Sequence, residues 1–85
     1  MNIDYSPEFV RRFKKLPKEL KLKALEREEI FRKDQFDSRL KTHKLSGKLN
    51  GRYAFWIDLK NRIVFSFVNK KLARFLSVGN HDIYK

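Results

Sequence analysis

The chain has 85 residues, 21 Lys and Arg against 10 Asp and Glu, and a net charge of +11, with 41% apolar and 14% aromatic residues. That is enough for one packed core and too little for a second, so disorder and a multi-domain layout are both disfavoured, and residues 1–85 are expected to be one domain. The absence of Cys excludes disulfides and thiolate zinc sites.

No apolar run approaches the length of a membrane span. The opening Met1-Asn2-Ile3-Asp4-Tyr5 lacks the charged and apolar regions of a signal peptide, so a soluble, cytoplasmic protein is the expectation. The charge is unevenly spread. Residues 1–38 hold ten basic and eight acidic residues, whereas 39–52 hold Arg39, Lys41, Lys44, Lys48 and Arg52 with no acid. Such a surplus suits a polyanion, although an acidic protein partner, or mere solubility, fits the charge alone equally well.

In chain order, Met1–Tyr5 reads as a short strand with Ile3 inward. Ser6-Pro7-Glu8 is a helix start, with a capping hydroxyl, a proline at the first helical position and an acid at the positive helix end. Phe9, Phe13 and Leu16 then share one face until Pro17 breaks the helix. A second helix is expected from about Lys18 to Lys33. Leu20, Ala24 and Phe31 form its stripe, Leu25 lies beside it, and Glu28–Arg32 and Glu29–Lys33 are i,i+4 pairs. Asp37 to Gly51 reads as loop or irregular, partly helical chain ending in the Asn50-Gly51 turn signal.

Arg52–Asp58, Arg62–Val68 and Leu72–Val78 follow as three strands with short connections, an antiparallel meander. Tyr53, Phe55 and Ile57 share a face, as do Ile63, Phe65 and Phe67, and that face must pack on the helices. Ala54, Trp56 and Arg62 lie on the other. The order β-α-α-β-β-β makes an α+β two-layer domain, a helical hairpin on a small antiparallel sheet.

Arg62 at a strand start, His81 and Tyr84 after the last strand, and His43 in the basic stretch are candidates for one site, with Gly79 able to turn the chain back toward the sheet. Their chemistry suits RNA cleavage without a metal. Histidine serves as acid or base near neutrality, arginine holds phosphate oxygens with a fork of donors, and tyrosine donates a hydrogen bond or stacks on a base. Each has a plainer reading: incidental histidines, Arg62 paired with Asp58 across a turn, and Tyr84 closing the sheet.

Three segments, L-S-G-K-L-N-G-R-Y, N-R-I-V-F-S-F-V and F-L-S-V-G-N-H-D-I-Y, preceded by S-P-E-F-V-R-R-F-K-K-L-P, resemble the RelE/ParE superfamily of type II toxin–antitoxin toxins over nearly the whole chain. The His43 context, T-H-K-L-S-G, is similar to the YafQ-like branch. The lysines of RelE itself are replaced by Tyr53-Ala54-Phe55. The resemblance implies a RelE-like fold and a ribosome-dependent mRNA endoribonuclease acting in the A site, with no metal or other cofactor. It implies that Arg62 contacts the scissile phosphate, that His43 and His81 share acid and base duties, and that Tyr84 positions the nucleotide. Lys44, Lys48 and Arg52 would hold RNA. An acidic antitoxin would cover the basic patch and an apolar groove beside the helices, with operator DNA reached only through it. A ParE-like gyrase inhibitor and an inactive basic binding module are the rival readings.

Overall fold

In the computed structural model, residues 1–49 and 51–80 are described. Ser6 caps the first helix as its sequence requires. Its Oγ accepts the Phe9 N–H at 3.0 Å and donates to the Leu76 carbonyl at 2.8 Å, so one hydroxyl both starts the helix and docks it on the sheet. Strand β1 is Asn2–Tyr5, helix α1 Pro7–Lys14 and helix α2 Lys18–Lys33. Pro17 separates the helices. Of the two expected i,i+4 pairs, Glu28–Arg32 forms at 3.1 Å, while Glu29 lies 4.0 Å from Arg32.

The remaining strands are β2 (His43–Lys44), β3 (Tyr53–Trp56), β4 (Asn61–Asn69) and β5 (Leu72–Asn80), with a single 3₁₀ turn at Gly47–Leu49. The sheet order is β1-β5-β4-β3-β2. The meander is present, but the expected small antiparallel sheet is larger and mixed. Strand β1 pairs with β5 in parallel, Ile3 opposite Ala73, and β2 adds an antiparallel edge, His43 opposite Ala54. Gly79 does not turn the chain. It lies within β5, directly opposite Arg62. The Asn50 half of the expected turn lies outside the described residues; Gly51 has the positive φ of 88° that such a turn needs.

Phe31, the last large apolar residue of α2, is fully buried against Phe55, Phe65 and Phe75, with ring centroids 5.2, 4.8 and 5.2 Å away. These rings come from the helix and three neighbouring strands, so the core is an aromatic cluster bolting one layer to the other. Phe31→Ala is expected to cost about 3–5 kcal/mol, measured as a fall in the urea midpoint, because the surrounding rings cannot collapse into the space.

Tyr5 stacks on Phe9 at 5.4 Å and donates its hydroxyl to Glu28 of α2. Partial burial, then the hydrogen bond and charge of Glu28, push its phenol up to about 12. The unfolded phenol titrates near 10, so the folded state holds this proton more tightly. Stability from this contact should be complete below pH ~10 and lost as pH rises toward ~12. Tyr5→Phe should remove that alkaline loss in a Tm-versus-pH series.

Candidate functional site: a cationic sheet face with an indole at its centre

Strand register determines which side chains meet. His43 pairs with Ala54, Ala54 with Val64 and Val64 with Ser77. Two residues along, Trp56 pairs with Arg62 and Arg62 with Gly79. Opposed residues in antiparallel strands share a face, so these two rows form one surface, on the side away from the helices. Ala54, Val64 and Ser77 are its buried floor. Strand spacing and rise place the Cα atoms of His43 and Arg62 about 12 Å apart.

Arg62 is only 9% exposed, yet among the described residues it has no carboxylate partner. Its Nη1 donates to the main-chain oxygens of Asp58 at 2.6 Å and Asn61 at 3.1 Å, and its guanidinium carbon lies 4.0 Å from the centre of the Trp56 ring. The plainer reading, Arg62 paired with Asp58 across the turn, holds only through the Asp58 main-chain oxygen and not its carboxylate. That carboxylate accepts the main-chain N–H groups of Lys60 and Asn61 and the Asn61 side-chain amide. Burial pushes the Asp58 carboxyl up, but these hydrogen bonds outweigh it and hold the group below its usual range. Asp58 thus shapes the turn that carries Arg62 and leaves the arginine's charge uncancelled. A buried cation held by carbonyls and a π face is costly unless something anionic completes it. Gly79 opposite contributes no side chain that would crowd the guanidinium.

His43 is exposed on β2, its Nδ1 3.1 Å from the Lys41 carbonyl oxygen. A carbonyl only accepts, so Nδ1 donates in this contact and Nε2 is the ring nitrogen left for a general base to use. The guanidinium of Arg62 lies over Trp56 on β3, the strand between its own and that of His43.

The other sequence candidates divide. Lys44 pairs with Tyr53 and therefore projects to the opposite face from His43 and Arg62. Lys48 is exposed on the 3₁₀ turn, and Arg52 is exposed at the entry to β3, where alternation assigns it to the face of Ala54 and Trp56. His81 and Tyr84 lie outside the described residues.

Sequence alternation places Trp56 on this face with Arg62 and Ala54, but misses the ring's contact with the cations and the parts of Ser77 and Lys41. Two cations lie over the Trp56 ring, with Lys41 Nζ 5.5 Å and the Arg62 guanidinium carbon 4.0 Å from its centre. Ser77 is buried, with its Oγ lacking a hydrogen-bond partner among the described residues. Lys41 sits in a turn with a φ of 51°, and its one signal in the sequence is the acid-free basic stretch 39–52.

Beside this face, a cleft of about 480 Å³ opens between α2 and the β3–β4 turn, lined by Lys23, Arg27, Arg39, Lys41, Trp56 and Lys60 among others. Hydrogen bonds from the Arg39 side chain and main chain hold the Asp37 carboxyl down at about 2, so Arg39 is the paired cation there. On the other side of α2 an apolar groove of about 390 Å³ runs between the helices, lined by Phe9, Val10, Phe13 and Leu25. Among the described residues no helix is long and apolar enough to cross a membrane.

No family model matches the chain, and no curated protein matches it. Solved structures do. A YoeB/ParE toxin from Agrobacterium tumefaciens superposes with a TM-score of 0.80 at 13% identity, over 95% of this chain and 99% of that one. YoeB in the YoeB–YefM complex from Staphylococcus aureus gives 0.78 at 24%, over 95% and 97%. YafQ from E. coli gives 0.73 at 22%, over 98% and 96%. This chain, two helices on a five-stranded mixed sheet, thus has the fold of these YoeB/ParE, YoeB and YafQ structures.

Proposed function

We propose that this chain is the toxin of a type II toxin–antitoxin system and acts as a ribosome-dependent, metal-independent mRNA endoribonuclease in the cytoplasm. The observation that carries this reading is Arg62, a buried cation without an acidic partner among the described residues, on one sheet face with His43. In the proposed reaction the RNA 2′-hydroxyl loses its proton to His43 or His81 as its oxygen bonds to phosphorus. The bond from phosphorus to the 5′-oxygen breaks, and the other histidine protonates that oxygen. Products are a 2′,3′-cyclic phosphate and a 5′-hydroxyl. Arg62 stabilises the charge on the phosphorane, an electrostatic role aimed at the transition state. Tyr84 would position the nucleotide, and Lys48 and Arg52 would hold the RNA backbone. Lys44, on the other face, is better placed for a ribosomal contact.

The neighbours that crystallised as YoeB–YefM and DinJ–YafQ complexes support an antitoxin partner for this chain. The apolar groove between α1 and α2, rimmed by Lys14 and bounded by the exposed Arg11 and Arg12, suits an amphipathic acidic segment of it. Induced expression with primer extension on abundant mRNAs tests the reading. Translation-dependent cuts at codon positions are expected, and Arg62→Ala should abolish them. Growth arrest with blocked DNA supercoiling and intact mRNA would instead establish the gyrase-inhibitor reading.

A further inference from the structure

The cleft beside Trp56 has cations that the fold does not use. Lys23, Lys41 and Lys60 form no salt bridge among the described residues. Arg27 donates from Nη1 to the Arg39 carbonyl at 3.0 Å, while its Nε is buried with no partner among the described residues. The acid in the lining, Asp58, is committed to its own turn. Of the cations lining this concavity Arg39 is paired with Asp37, while Lys23, Arg27, Lys41 and Lys60 have no salt bridge among the described residues and the lining carboxylate, Asp58, is already satisfied. Structural pairing would have matched them with acids; their surplus points to an anionic ligand.

The cleft is continuous with the Arg62 face. Asp58 lends its carbonyl to Arg62 and lines the cleft, Trp56 carries Arg62 on its ring and lines the cleft, and Lys41 is two residues from His43. A ligand passing from Arg62 to the lysines crosses an indole on the way. Alternating cations and a flat aromatic are what a single nucleic-acid strand requires, with phosphates drawing the cations, Lys41 among them, off the part of the indole against which a base then lies. An acidic polypeptide would use the lysines and have no need of the ring.

Resting on the ribonuclease reading, we infer that the cleft of Lys23, Arg27, Lys41 and Lys60 binds the phosphates of single-stranded RNA flanking the nucleotide held at Arg62, with Trp56 as the platform between the two sites.

The test is fluorescence anisotropy with a fully 2′-O-methylated RNA hexamer, which binds without being cut, across a salt series. Lys23→Gln/Lys60→Gln is compared with Lys70→Gln/Lys71→Gln, which removes the same charge from the β4–β5 turn at the opposite end of the sheet. Each lost phosphate contact on a single strand lowers the salt slope by about 0.7, so the cleft variant should lose about 1.4 and bind roughly 10- to 100-fold more weakly at 50 mM salt. The distal variant should stay within about twofold. Trp56→Ala should weaken binding while leaving the salt slope unchanged. Equal losses in both lysine variants, or none in the cleft variant, overturn the inference. So does a cleft variant that keeps its RNA affinity but loses binding to polyglutamate, which would make the cleft a protein site. Because the hexamer is not cut, binding that fails in the cleft variant upholds the cleft even where RNA cleavage itself is never observed.

Discussion

Arg62→Ala is expected to lower the rate of RNA cleavage by about 10²–10³, the usual consequence of removing one donor aimed at developing charge in a site shielded from water. The size follows from the surroundings of the guanidinium. It is almost buried, fixed by two main-chain carbonyls and laid on the Trp56 ring, so it reorganises little when a phosphate arrives. Arg62→Lys should recover only part of the loss, since an ammonium cannot bond the Asp58 carbonyl, cover the indole and present a fork of donors together. Single-turnover cleavage of an mRNA on programmed ribosomes gives both numbers. Circular dichroism and a urea melt of each variant separate lost chemistry from lost folding, because deleting the cation also removes a costly buried charge.

His43→Ala should lower the same rate by about 10²–10⁴, the range for loss of a positioned acid or base. The tautomer makes the prediction specific. With Nδ1 held by the Lys41 carbonyl, Nε2 is the working atom. His43→Gln should therefore fail even though its amide mimics the hydrogen-bonding side of the ring. Added imidazole should restore part of the His43→Ala rate and none of the Arg62→Ala rate. One limb of the pH–rate profile should disappear in His43→Ala, a change that loss of a merely structural contact would not produce. An unchanged rate in His43→Ala would assign both proton transfers elsewhere.

Much of the fold is legible in the chain because its signals are local. Ser6-Pro7 starts α1, Pro17 ends the run, and the apolar stripe through Leu20, Ala24 and Phe31 defines α2 with the observed limits. Alternation in Tyr53–Trp56 and Asn61–Asn69 correctly assigns the face that packs on the helices, with Phe55, Ile63 and Phe65 in the core, but not the burial of Ala54 and Val64 on the other face. What local patterns miss is partner choice. The parallel β1–β5 pairing joins residues about seventy positions apart, and nothing in Asn2–Tyr5 names its neighbour. Strand β2 is two residues long, too short for a period, and exists because β3 offers it an edge. Gly79 reads as a turn by residue type but is held extended by its pairing with Arg62.

The site follows the same division. Arg62 is legible as a strand-opening cation, whereas its partners are not. The Asp58 side chain is consumed by its own turn, and Trp56 becomes a cation platform only through the β3–β4 register. Lys44 fails to converge with His43 for the simplest reason, that adjacent strand residues point to opposite faces.

The central claim, cleavage by the RNA's own 2′-hydroxyl, is tested most directly on purified ribosomes programmed with an mRNA carrying a single 2′-O-methyl group at the cut nucleotide. The expected result is clean cleavage of the unmodified message into 2′,3′-cyclic phosphate and 5′-hydroxyl ends, with no cut at the methylated position. Cleavage that persists at the methylated nucleotide, or an uncut message with the wild-type protein bound, would contradict it.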